Sequence, residues 1–538
     1  MPIVTAIILL PLLAALSLLI PGTTRVASRL VALFATGLTF AMVVSLTVRL
    51  DRDAAGLQFV EQHNWSGNNA LQWAVGVDGI SIWLLLLTAG IFLVSAVALI
   101  WHPPENETVF FAALLAGEAG LLGLFASADL VLFYVFWEAM LVPFFFLIGV
   151  WGGDGRKIAT SKFIIYTMVG SLPMLVAILA TAFLAQDITG QFTFTISELR
   201  GVQFSETQST WLFAGFALAF AIKLPLWPFH GWLPDAYRAA PLVVTGILAA
   251  VMSKAGVYGL IRIGVPTFPE GAENFAIPLS ALALIGIIYG SLVAWRAPTM
   301  RLLVGYSSLA HLGFIVLGIM AFDIQAGQGA VLQMVNHGLV VAAAFTIVGI
   351  INRGTPSDYI DRVSGIASRA PRLAAVFLIV AMAGLAIPGS NAFVGEFFIL
   401  VGVFRHHVWL AVLAMIGVVL AAVYMLRLYQ TTMNGPAYGA NARATELRPV
   451  DYVVLGPIIA AMFVIAFWPA SIVDSTRQPV AQAVAPAQIA ADRPADQIER
   501  QVIPNPPPEA LPLPGDEPEV DEAAPTGAPP PPVEEQTP

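Results

Sequence analysis

Fourteen stretches of roughly 20 mostly apolar residues run through this chain of 538. Each is long enough to cross the hydrocarbon core of a bilayer as a helix. Lipid satisfies no backbone hydrogen bond, so runs of this length predict an all-α polytopic membrane protein with about fourteen transmembrane helices. Composition agrees: 58% of residues are hydrophobic and 11% charged, and the mean hydropathy of +0.81 excludes a soluble globular chain. Residues 1–20 lack the basic start and small-residue cleavage site of a signal peptide, so they count as the first span. Cysteine is absent, which removes disulfides, thiolate-held zinc and cysteine-bound iron–sulfur clusters from this chain's own chemistry.

Breaks in the apolar pattern divide the chain into five segments. Residues 1–107 hold spans 1–3, 108–265 spans 4–8, 266–432 spans 9–13 and 433–475 the last span, while 476–538 reads as a disordered acidic Pro/Ala-rich tail. From Asp492 onward there are eleven acids and two bases, which accounts for the whole net charge of −9. With the N-terminus outside, Arg25, Arg156, Arg238, Arg301, Arg353 and Arg372 all fall in cytoplasmic loops. The positive-inside rule therefore predicts both termini on the outer side.

Two spans carry prolines that interrupt a helix. Span 7 reads AIKLPLWPFHGWLPDA, with Pro225 and Pro228 just after Lys223, and span 12 reads LAIPGSNAFVGEFF, with Pro388 and Gly389 ahead of Glu396. Such breaks persist in membranes where they face protein or a hydrated cavity. Five positions separate them, the spacing expected if spans 4–8 and 9–13 are five-helix repeats. An odd repeat length makes the copies inverted, and paired broken helices point to an ion path between them.

The charged residues inside these spans are the candidate chemistry. Only four lysines exist, and Lys223 and Lys254 both lie within apolar runs, where a charge costs roughly 2.5–3.5 kcal/mol even on the lenient insertion scale. Glu138, mid-span in LFYVFWEAMLVPFF, is a switchable partner for Lys223: a buried carboxyl and a buried ammonium change protonation as they approach or separate. A static ion pair that fixes helix packing is the alternative. Lys254 either carries protons or snorkels to an interface. His311 and His337 suit a relay because imidazole titrates near neutrality, although buried histidines also serve as hydrogen-bonded core residues. Glu118 either joins this network or bonds a neighbouring helix. Asp78 and Asp129 begin spans and read as helix caps. His63, His102, His406 and His407 fall in loops, His230 lies at the exit of the broken helix, and no metal-ligand spacing occurs among them. No phosphate-binding glycine loop, nicotinamide fingerprint or nucleic-acid patch is present in the sequence.

FYVFWEAMLVPFFFLIGVWGG, KLPLWPFHGWLPDAYRAAP, SKAGVYGLIR, GYSSLAHLGFI, QMVNHGL and FVGEFFIL occur in order over roughly residues 70–470. Together they resemble the antiporter-like membrane subunits of respiratory complex I, the proton-pumping NADH:quinone oxidoreductase. The resemblance implies Glu138 and Lys223 as the central pair of one half-channel, Lys254 as the link to the cytoplasm, and His311 and His337 lining the way to Glu396. It implies quinone and NADH sites, FMN and iron–sulfur clusters in partner subunits and no cofactor in this chain. The expected partners are other membrane subunits, above all the L- and N-type ones, in a bacterial inner membrane. Glu396 sets the chain apart from those two types and from sodium/proton antiporter proteins, which usually carry lysine at this broken helix. The chain departs from the family at Pro298, Thr299 and Met300 ahead of Arg301, at Tyr237 where histidine is usual and at Leu242 where threonine is common. A subunit of a multisubunit sodium/proton antiporter is the competing reading. A passive structural link is the third.

Overall fold

A computed structural model describes residues 2–64, 71–355, 357–436 and 445–493. Apolar runs become helices where they were expected. In order, the spans are Ile3–Leu18, Arg25–Arg49, Ser81–Trp101, Glu107–Ala126, Leu130–Trp151, Arg156–Thr189, Glu206–Lys223 with Leu233–Ala239, Leu242–Thr267, Ala276–Arg296, Met300–Met320, Ile324–Gly354, Pro371–Gly384 with Asn391–His406, Val408–Met433 and Pro449–Phe467. Eleven of these helices are long and apolar enough to cross a membrane unaided, while spans 1, 7 and 12 are short or interrupted. Spans 8, 10 and 11 are almost wholly buried and form the centre, whereas spans 2, 6, 13 and 14 keep most of their surface outward.

Both interruptions fall fourth in their five-span set, at 224–232 and 385–390. Proline removes a backbone donor and blocks the preceding turn, and Gly389 supplies a φ of +92° that lets the chain re-enter the membrane as a helix. Span 8 deviates differently: π-helical turns at Leu248–Met252 and Leu260–Gly264 bracket Lys254. Asp129 caps span 5 as expected, its Oδ1 accepting from the amides of Val131 and Leu132. Asp78 caps span 3 in the same way, accepting from Ile80 and Ser81.

Two elements lie outside the sequence expectation. A hairpin, β1 (Gln58–Asn64) and β2 (Gln72–Val77), pairs antiparallel ahead of span 3, and Glu61 on β1 accepts from the first free amides of span 1 at Val4 and Thr5. Residues 476–491, assigned to the disordered tail, are instead helical, as part of Ala470–Ala491. The assignment failed because this segment has low hydropathy and two prolines, yet Ile472, Thr476, Val480, Ala483, Val484 and Ala487 make one buried stripe. This surface helix lies on the starts of spans 3 and 11. At Gly79 an added Cβ would stand 1.8 Å from the Ser475 carbonyl oxygen, so only glycine permits the approach. The acidic residues after 493 lie outside the described residues.

Candidate functional site

Four of the predicted residues form one series across the centre of the bundle, hydrogen-bonded at its first and last steps. Lys254 Nζ lies 2.7 Å from His337 Nδ1, and it also donates to the Ala249 carbonyl at 2.5 Å and contacts Ser253 Oγ at 3.3 Å. Ala249 belongs to the first π-helical turn of span 8, so the irregular turn presents a carbonyl to the buried ammonium. The rings of His337 and His311 follow at 5.6 Å between centroids. His311 Nδ1 then meets Glu396 Oε1 at 2.7 Å, and the same oxygen accepts from Gln333 Nε2 at 3.0 Å. All five side chains are buried. A cavity of about 20 Å³ touches both histidines, Ser307 and Gln333, enough for one water.

Glu138 and Lys223 are arranged otherwise. Lys223 Nζ lies 4.8 Å from the centre of the Trp137 ring and makes no hydrogen bond. Such a cation–π contact recovers part of the lost hydration, on the order of 1–2 kcal/mol. Glu138, on the next residue, makes no ion pair with it, and its Oε1 is buried without a hydrogen-bond partner. Glu118 is fully buried in span 4 with both oxygens unpartnered, and no hydrogen bond joins it to the other candidates.

Sequence reasoning missed three features. Gln333 and the amide pair Asn336–Asn391, in which Asn336 Nδ2 donates to the Asn391 carbonyl at 2.7 Å, tie span 11 to span 12 beside Glu396. Neutral amides leave little trace in a hydropathy profile. Arg262, near the far end of span 8, pairs with Asp78 at 2.5 Å with both side chains buried. Arg200, in the loop beside them, donates to the Arg262 carbonyl at 2.6 Å. Burial, together with the Arg262 charge and against the pull of Asp78, draws the Arg200 guanidinium down to about 9.

The family described as NADH:quinone oxidoreductase/Mrp antiporter, TM, matches residues 127–421. The chain is 37% identical over 468 residues to NADH-quinone oxidoreductase subunit M of Rhodobacter capsulatus, covering 84% of this chain and 90% of the relative. Respiratory complex I from Thermus thermophilus with bound NADH contains a chain that superposes with a TM-score of 0.82 at 31% identity. That match covers 90% of this chain and 99% of that one. A chain of the Mrp complex from a Dietzia species shares the fold, with a TM-score of 0.79 at 19% identity over 91% of this chain and all of that one.

Proposed function

This chain belongs to the NADH:quinone oxidoreductase/Mrp antiporter membrane family, and from that premise we propose that it is the M-type proton-translocating membrane-arm subunit of complex I. The observation that carries the reading is the buried series Lys254–His337–His311–Glu396, two of whose steps are 2.7 Å contacts. A proton given by Lys254 to His337 Nδ1 lets His337 release one from Nε2. A single water in the adjoining cavity passes it to the far nitrogen of His311, whose Nδ1 proton then moves to Glu396. Glu138, approaching or leaving Lys223, changes whether that ammonium holds its proton, and so times delivery to Lys254.

Quinone reduction elsewhere in the complex drives the cycle. FMN, iron–sulfur clusters and the NADH site belong to partner subunits, and the neighbours in the membrane are the L- and N-type subunits. The chain sits in the bacterial inner membrane with both termini outward. The antiporter alternative rests on a shared family model and fold, whereas the relatives of 30% identity or more that support the present reading carry NADH- or NAD(P)H-quinone oxidoreductase names.

The test is NADH-driven proton uptake in inverted membrane vesicles carrying Glu138→Ala, with the assembled complex quantified alongside. Uptake and quinone reduction should fall together while assembly holds. Unchanged uptake in an assembled complex would reject the pumping role and send the question to sodium-dependent exchange.

A further inference from the structure

A second cavity, of about 250 Å³, lies between spans 3, 8, 11 and 14, away from the proton series. Its walls are apolar, built from Ile91, Leu99, Leu242, Phe345, Val454 and Ile458 among others. Its mouth is charged: His102, Arg353 and Asp451 stand there, with Arg448 exposed at the start of span 14. Spans 3 and 11 end at this mouth while spans 8 and 14 begin there. The cavity is therefore a groove running inward from one membrane face.

Its length is informative. The lining residues of span 3 run from Ile91 to His102 and those of span 11 from Ala342 to Arg353. At 1.5 Å per residue each wall is about 16 Å long, half of a hydrocarbon core of about 30 Å. That is the depth of one leaflet. Water needs two to four polar partners to stay in such a place, and the walls inside the mouth carry two hydroxyls, Ser95 and Thr346, the second already bonded to its own helix at Ala342.

The mouth favours an anion. Arg353 Nη2 is held by Asp451 at 2.6 Å, yet Arg353 Nε is buried without a hydrogen-bond partner. Arg448 gives its backbone amide to the same Asp451 oxygen at 2.8 Å, so two arginines flank one aspartate. Burial and the charges of Arg353 and Arg448, against the pull of Asp451, hold His102 below its ordinary value.

We propose that this groove binds one acyl chain of an anionic glycerophospholipid whose phosphate is held at the mouth by Arg353 and Arg448. Apolar walls one leaflet deep take the chain, and guanidinium groups take the phosphate through charge-assisted hydrogen bonds. The same lipid packs against span 11 from Ala342 outward and against the start of span 8, supporting the two helices that hold the Lys254–His337 contact.

The experiment purifies the assembled complex, strips loosely held lipid with detergent, and measures bound phospholipid by mass spectrometry after adding back phosphatidylglycerol or phosphatidylcholine. Wild-type complex should retain phosphatidylglycerol, Ala98→Phe or Gly246→Val should abolish that retention by filling the groove, and Arg448→Ser should weaken it about tenfold relative to phosphatidylcholine. Two groove-filling variants guard against one that fails to assemble. Equal retention in wild type and both filled variants would overturn the proposal, as would recovery of an isoprenoid quinone, or protection by inorganic phosphate alone that filling the groove does not change.

Discussion

The two five-span sets place titratable side chains on the same two helices with the signs exchanged, although Lys223 precedes its interruption and Glu396 follows its own. On the second helix stand Glu138 in one set and His311 in the other; on the interrupted fourth helix stand Lys223 and Glu396. The second pair is closed, at 2.7 Å, with Gln333 adding a further bond. The first is open, its ammonium resting over an indole and its carboxyl oxygen unpartnered. A shared backbone plan therefore does not dictate a shared electrostatic state. One half holds its charge by direct bonds, the other by position.

That contrast is most exposed by deleting one member of each pair. Glu396→Ala removes the partner of both His311 and Gln333, and breaking a buried pair costs about 3–5 kcal/mol. Assembled complex should fall sharply on native gels, together with proton uptake. Lys223→Met breaks no hydrogen bond, so assembly and NADH oxidation by a hydrophilic acceptor should hold while uptake drops on the order of tenfold or more. Equal loss of assembly in the two variants would erase the distinction.

A smaller effect is expected from Gln333→Leu, which deletes one bond to Glu396 and leaves His311 in place. A hydrogen bond to a charged group contributes about 1.5–3 kcal/mol, so thermal inactivation should shift down while uptake persists at a reduced rate. No shift in inactivation temperature would mean that His311 alone fixes Glu396. Least should come of Glu118→Gln. Its carboxyl makes no hydrogen bond and, unlike Lys223 over Trp137, it stands in no charge contact that joins it to the other candidates, so uptake should stay within a factor of about two. A tenfold loss in vesicle assays would instead add Glu118 to the path.

Much of this was legible in the sequence. Apolar runs located the spans because lipid leaves the backbone few options, and prolines 225, 228 and 388 marked both interruptions. Lys223, Lys254, Glu138 and Glu396 stood out because charge inside an apolar run is expensive. What stayed hidden depends on partners far away in the chain. Nothing near residue 138 says that Lys223 rests on Trp137, and nothing near 333 says that Gln333 reaches Glu396. The π-helical turns add no composition signal. The helix at 470–491 was lost because its stripe of small residues matters only against a neighbour shaped to receive it.

That helix has a mechanical consequence. It fastens the starts of spans 3 and 11 and packs against the far end of span 8, where Arg262 is also locked to Asp78. Span 8, buried along almost its whole length, is thus pinned at its far end, and its regular hydrogen-bond ladder is broken at the irregular turns on either side of Lys254. At the first of those turns a displacement of about an ångström suffices to carry the 2.7 Å contact between Lys254 and His337 beyond hydrogen-bond reach.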